Sequence, residues 1–188
     1  MKNLIKISFV ILIIASCGSK KNEDPKNIAE DHNNAKFNDL HKQKEAKLIV
    51  DAAEFDLQQI CLSKLAQQNS IDTKTQQAGK TLEKEYTTLY SFTKDLGTKK
   101  QITVPKEMSI PKENICKALS YEIAEDFDNK FYELVIKDHS NAIRNYERSV
   151  EELNDPEMIS FMKKQLGDLK KNLVFILLNY RPTKKQAF

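Results

Sequence analysis

Apolar residues return along most of this chain in steps of three and four, the spacing of a helix with one buried face. The first stripe runs Leu48, Ala52, Phe55, Gln59, Leu62 and Ala66, widened by Ile49, Ala53, Ile60 and Leu65. The second runs Thr75, Ala78, Leu82, Tyr86, Leu89, Phe92 or Thr93, and Leu96. Ser70 or Asp72 can cap its start, and Gly97 stands where a left-handed C-terminal cap belongs. In "TKKQITVPKEMSIP", Pro105 and Pro111 oppose helix, and a short helix is predicted over 112–120. The third long stripe begins near Asp126 with Phe127, Phe131, Leu134, Val135, His139, Ala142, Ile143, Tyr146 and Val150. Asp155 and Pro156 suit the N-cap and first position of a fourth helix. Its stripe is Ile159, Met162, Leu166, Leu169, Leu173, Ile176 and Tyr180, and Arg181-Pro182 ends it.

The chain has 4 glycines and 5 prolines and no strand-rich stretch, so the fold class expected is all-α. Alternating short and long connections suit an antiparallel four-helix bundle over residues 41–181. The short extra helix falls in the long connection between its second and third helices. No helix can bury its stripe alone, so the four must share one core.

Before this domain lies a different kind of text. Lys2 and Lys6 flank the start of "ISFVILIIAS", an apolar run shorter than the roughly 20 residues a bilayer span needs. It ends in Ile14-Ala15-Ser16-Cys17-Gly18, and small residues before a cysteine resemble the lipobox of bacterial lipoproteins. That resemblance implies a removable signal peptide over 1–16 and covalent lipid, palmitate included, on Cys17. Residues 17–40 are polar and read as a lipidated, flexible tether, with His32 inside it and His41 just beyond it both solvated. Residues 182–188 read as a short basic tail. The expected address is the bacterial cell envelope, lipid-anchored to the outer membrane with the domain in the periplasm. The expected partners are the membrane, through the lipid, and an envelope protein or ligand that the sequence does not identify.

Charge narrows the function classes. The formal net charge is +3, and without Lys2 and Lys6 there remain 28 basic side chains against 27 acidic ones. No basic stripe or stacking aromatic set accompanies that balance, which excludes nucleic acid as a partner. Cys61 and Cys116 have no CxxC companion. They can pair as a disulfide in an oxidising compartment, while their apolar neighbours suit free structural thiols.

Four segments carry a family resemblance: "AAEFDLQQICLSKLA" (52–66), "AGKTLEKEY" (78–86), "FDNKFYELVIKDHSNAI" (127–143) and "FMKKQLGDLKKNL" (161–173). In order and spacing they resemble the ferritin-like bacterial envelope family "domain of unknown function four-one-four-two", often labelled outer-membrane proteins. The resemblance covers about residues 45–180. It implies a ligand set of one glutamate and three histidines, which falls here on Gln59, Tyr86, His139 and Asn172. Only His139 keeps a ligand of the implied kind.

A di-iron bundle needs a glutamate from each of two helices and a Glu-x-x-His from each of the other two. This chain has no Glu-x-x-His: Ile136 stands three residues before His139, and Glu83-x-x-Tyr86 offers a phenol. The expectation is therefore a buried polar layer of Gln59, Tyr86, His139 and Asn172, one per helix, satisfying one another and fixing helix register. Such a chain has no catalytic residues and no cofactor beyond its lipid, and works as a non-catalytic interaction or stress-related module. The alternative is a metal- or redox-handling bundle with a degenerate site at His139, completed by Asp138 or Glu85. Glu122, Glu125, Asp126 and Asp128 are placed to complement the dipole of the third long helix.

Overall fold

The computed structural model describes residues 23–180; Cys17 with its leader and the tail 182–188 lie outside them. Six helices follow in order: α1 (Pro25–Lys36), α2 (Leu40–Asn69), α3 (Thr73–Lys99), α4 (Ile110–Ser120), α5 (Ala124–Glu152) and α6 (Pro156–Asn179). The described residues are all-helical, without strands.

Local chemistry sets where these helices begin. Asp72 caps α3 by accepting from the Thr75 backbone N–H at 3.0 Å, and Ser70 Oγ accepts from the Asp72 N–H, also at 3.0 Å, tightening the turn from α2. Asp155 caps α6, accepting from the N–H groups of Glu157 and Met158, with Pro156 in the first turn. Lys100, at the end of α3, pairs with Asp155 at 2.7 Å and ties that end to the start of α6.

The long helices contact one another in a circuit: α2 against α3 and α5, and α6 against α5 and α3. Leu62, Leu82, Phe127, Phe131, Met158, Met162 and Leu169 fill the interior, and each such side chain contributes about 1.5–3 kcal/mol by leaving water. Helix α4 lies on α2 and α5, and α1 lies on α2. Helix α2 thus packs against α1, α3, α4 and α5. It buries Glu54, Asp56, Gln58 and Gln59 as well as its apolar residues.

Three expectations change. Residues 25–36, expected within a flexible tether, form α1 and bury Ala29 and Asn33 against the domain. Asn33 clasps the connection after α3, donating to the Thr103 carbonyl at 2.9 Å and accepting from the Thr103 N–H at 2.7 Å. Lys26 adds ion pairs to Asp51 at 2.6 Å and Glu54 at 2.9 Å. Polar contacts dock this helix, so it has no apolar stripe to betray it.

Gly97 does not end α3. The helix runs on to Lys99, and Gln101 takes the left-handed conformation instead, at φ 58°. A side chain at Gly97 would collide with Val104 of the returning connection, so the glycine serves close approach rather than a cap.

The inward face of α6 is rotated from the expected one. Met158, Phe161, Met162, Gln165, Leu169, Asn172 and Ile176 are buried, while Ile159, Leu166 and Leu173 sit at its edge. Two polar residues, Gln165 and Asn172, hold places that apolar periodicity assigns to leucines.

Candidate functional site

The middle of the core is polar. His139 of α5 is fully buried, with Nδ1 2.7 Å from the Val135 carbonyl one turn earlier. A carbonyl can only accept, so Nδ1 carries the proton and Nε2 offers its lone pair. The Tyr86 hydroxyl of α3 fills that lone pair in a short hydrogen bond. Phe55 of α2 closes the arrangement edge-on, its ring centroid 5.4 Å from that of His139 and 5.8 Å from that of Tyr86. Burial depresses the His139 pKa to about 4, the bond to Val135 offsetting part of the effect. Burial likewise pushes the Tyr86 phenol well above its ordinary value. At neutral pH both groups are uncharged.

The other two residues of the expected layer behave differently. Asn172 of α6 is buried beside the Tyr86 hydroxyl, and its amide nitrogen has no hydrogen-bond partner. Gln59 of α2 is buried but turns outward, its Nε2 3.5 Å from Oδ2 of Asp138. The structure thus joins Tyr86 with His139, sets Asn172 alongside, and leaves Gln59 out of the histidine's hydrogen bonds. Glu85 pairs loosely with Lys171 at 4.0 Å, and Asp138 lines a surface groove.

A second polar set, not anticipated from the sequence, joins α2, α3 and α6. Thr93 Oγ1 lies 3.1 Å from Asp56 Oδ2, 3.0 Å from the Leu89 carbonyl and 3.1 Å from Gln165 Nε2. One hydroxyl proton cannot serve both Asp56 and Leu89. The conflict disappears if Asp56 is a neutral acid that donates to Thr93, while Thr93 donates to Leu89 and accepts from Gln165. Burial raises the Asp56 carboxyl well above its ordinary value, which agrees with that proton count. The available sequence signals were the aspartate of the quoted "FDLQQ" run and the Phe92-or-Thr93 ambiguity. Gln58 is also fully buried, with neither of its amide atoms hydrogen-bonded.

Beside this interior, a groove of about 620 Å³ runs between α1, α2 and α5. Leu48, Phe55, Ala142 and Tyr146 give it apolar surface; Lys26 and Asp138 are among its charged groups. Phe55 is therefore shared, touching the groove on one side and His139 on the other. Asp138 is half-buried, and its carboxyl is raised by that burial against the pull of Lys112 and the Gln59 hydrogen bond.

The family described as "Domain of unknown function (DUF4142)" matches residues 29–174. The chain belongs to that family. No curated protein and no solved structure matches it. The DUF4142 match opens within α1 and closes in α6, so it takes in Tyr86, His139, Asn172 and the Asp56–Thr93–Gln165 set.

The DUF4142 centre does not fit the di-iron ligand set that the ferritin-like resemblance implies. Both His139 nitrogens are engaged, and Tyr86 and Asn172 are neutral groups. Asp138 and Glu85 do not join them. Among the described residues, no group of three or more His, Cys, Asp or Glu side chains could hold a metal ion.

Proposed function

We propose that this DUF4142 protein is a lipid-anchored protein of the bacterial envelope, whose domain is a ferritin-like antiparallel four-helix bundle acting as a non-catalytic interaction module. The observation that carries the reading is the commitment of both His139 nitrogens to hydrogen bonds within a neutral centre. The Tyr86–His139 pair sets helix register and leaves the imidazole no free lone pair for chemistry. Function then falls to the surface, where the groove between α1, α2 and α5 offers a recognition face for an envelope protein or small ligand.

The anchor rests on the lipobox resemblance around Cys17 and on the short basic and apolar run before it. No helix among the described residues is long and apolar enough to cross a membrane. Two or three acyl chains on one cysteine supply durable attachment, at about 0.8 kcal/mol per buried methylene. Because α1 starts at Pro25, the residues between Cys17 and Asp24 can extend at most about 25 Å, and the domain stays close to the bilayer. The outer membrane, with the domain on its periplasmic side, is the address this reading favours.

Two measurements test it. Cys17→Ser should abolish palmitate labelling and release the protein from the membrane fraction; unchanged fractionation refutes the anchor. Metal analysis of the purified protein should find no stoichiometric ion. Iron, manganese or zinc at one or two per chain, lost on His139→Ala, would overturn the non-catalytic reading in favour of a metal-handling bundle.

A further inference from the structure

Cys61 of α2 and Cys116 of α4 face each other where those helices pack. Their environments differ. Cys116 is buried in the core, whereas Cys61 is half-buried and lines a second groove, of about 630 Å³, with Leu57, Ile60, Lys64, Met108 and Glu113. Both thiols are free. A small molecule can therefore reach Cys61 from the groove, while Cys116 is buried and does not line it.

We propose that Cys61 and Cys116 form a redox-active pair, in which Cys61 attacks a small disulfide arriving in this groove and Cys116 resolves the adduct, linking α2 to α4 covalently.

The division of labour follows from the contact between the thiols. Its interaction with Cys116 lowers the Cys61 pKa, with help from nearby Lys64 and against the effect of burial. The same interaction, together with burial, raises the Cys116 thiol. Cys61 is also the thiol that the groove opens to a reagent, and the thiolate is the nucleophile.

In the first step the Cys61 thiolate attacks one sulfur of the small disulfide. That S–S bond breaks, a mixed disulfide forms on Cys61, and one small thiolate leaves. Cys116 then loses its proton to solvent and attacks Cys61 Sγ, expelling the second small thiolate. The protein dithiol loses two electrons and the small disulfide gains them, giving one protein disulfide and two small thiols. The new bond joins α4 to α2 in the wall of the groove.

The test uses the full chain carrying Cys17→Ser, so that only Cys61 and Cys116 titrate, with glutathione disulfide as oxidant. Intact mass should fall by two hydrogens as both free thiols disappear, and dithiothreitol should restore both. With Cys116→Ser, a glutathione adduct should accumulate on Cys61. With Cys61→Ser, adduct formation on Cys116 should be slower by about ten-fold or more, since it is buried and protonated. A stable mixed disulfide in the chain with both cysteines, disulfide-linked dimers, or thiols left unchanged by the oxidant would each overturn the proposal. The mass of the chain with both cysteines decides the matter even if a serine variant fails to fold.

Discussion

The Tyr86 hydroxyl donates to Nε2 of His139, joining two residues 53 positions apart in sequence. The bond links α3 to α5, helices whose principal neighbours are α2 and α6 rather than each other. It therefore braces the core across its diagonal. Tyr86→Phe keeps the ring but strands a buried imidazole nitrogen, and should cost about 1–3 kcal/mol in urea unfolding. His139→Ala adds a cavity and should cost about 2–4 kcal/mol. The double substitution should cost less than the two single losses together, because each removes the partner the other leaves stranded. Strict additivity in the double-mutant cycle would show that the contact carries no coupling.

Stability should depend on pH through groups of opposite sign. His139 is depressed from an ordinary 6.5 to about 4. The unfolded chain thus takes up a proton at His139 before the native chain does, and stability present above pH 6.5 is lost as pH falls toward 4, by about 3 kcal/mol. Asp56 works the other way. Its raised carboxyl keeps a proton that the unfolded chain releases above its ordinary 3.8, so stability falls as pH rises from there. Asp138, also raised by burial, acts in the same direction as Asp56. Asp56→Asn preserves a neutral donor to Thr93 and removes the falling contribution. Its urea midpoint should climb more steeply between pH 4 and 6.5 than that of the parent protein. Parallel pH profiles would mean that Asp56 is ionised in the native core.

Two glycines should respond to alanine with opposite signs. A Cβ on Gly79 would stand 2.7 Å from the Ser63 carbonyl oxygen and 2.9 Å from the Ala66 Cβ, where α3 crosses close to α2. Forcing those helices apart should cost about 1–3 kcal/mol, outweighing the roughly 1 kcal/mol by which alanine favours helix. A Cβ on Gly167 meets nothing within 4 Å. Gly167→Ala should therefore stabilise by about 1 kcal/mol. Thermal melts that move in the same direction for both variants would contradict the close approach at Gly79.

The docking of α1 should hinge on Asn33. Asn33→Ala removes both bonds to Thr103 and leaves that backbone group without its partner, a loss of about 1–3 kcal/mol. Hydrogen exchange should accelerate across residues 25–36 and in the connection near Thr103, while the amides of α2 stay protected. Unaltered exchange in α1 would show that Asn33 does not hold it.

The long helices were legible because their apolar residues repeat at helical spacing and because Asp72, Asp155 and Pro156 punctuate them with well-defined capping chemistry. The short helix α4 was visible between prolines and polar text. Helix α1 was not, since Asn33 and Lys26 dock it through partners in other segments. The face of α6 was misjudged for a related reason: Gln165, buried against Thr93, looks like a solvent-facing residue until its surroundings are known. Asp56 was not singled out, because nothing in the neighbouring sequence shows what keeps a buried aspartate neutral.

Sequence alone determined that the described residues are helical, where α3 and α6 begin, and that His139 lies on a buried stripe; helical period and caps act over a few residues, and neighbouring positions suffice to reveal them. Tertiary structure decided which polar groups meet, and which member of the expected layer bonds to His139. Tyr86 finds His139 across 53 residues, Thr93 finds Asp56 across 37, Gln165 finds Thr93 across 72, and Asn33 finds Thr103 across 70. A hydrogen bond depends on position to a fraction of an ångström, and over such separations only the packing of whole helices sets that position.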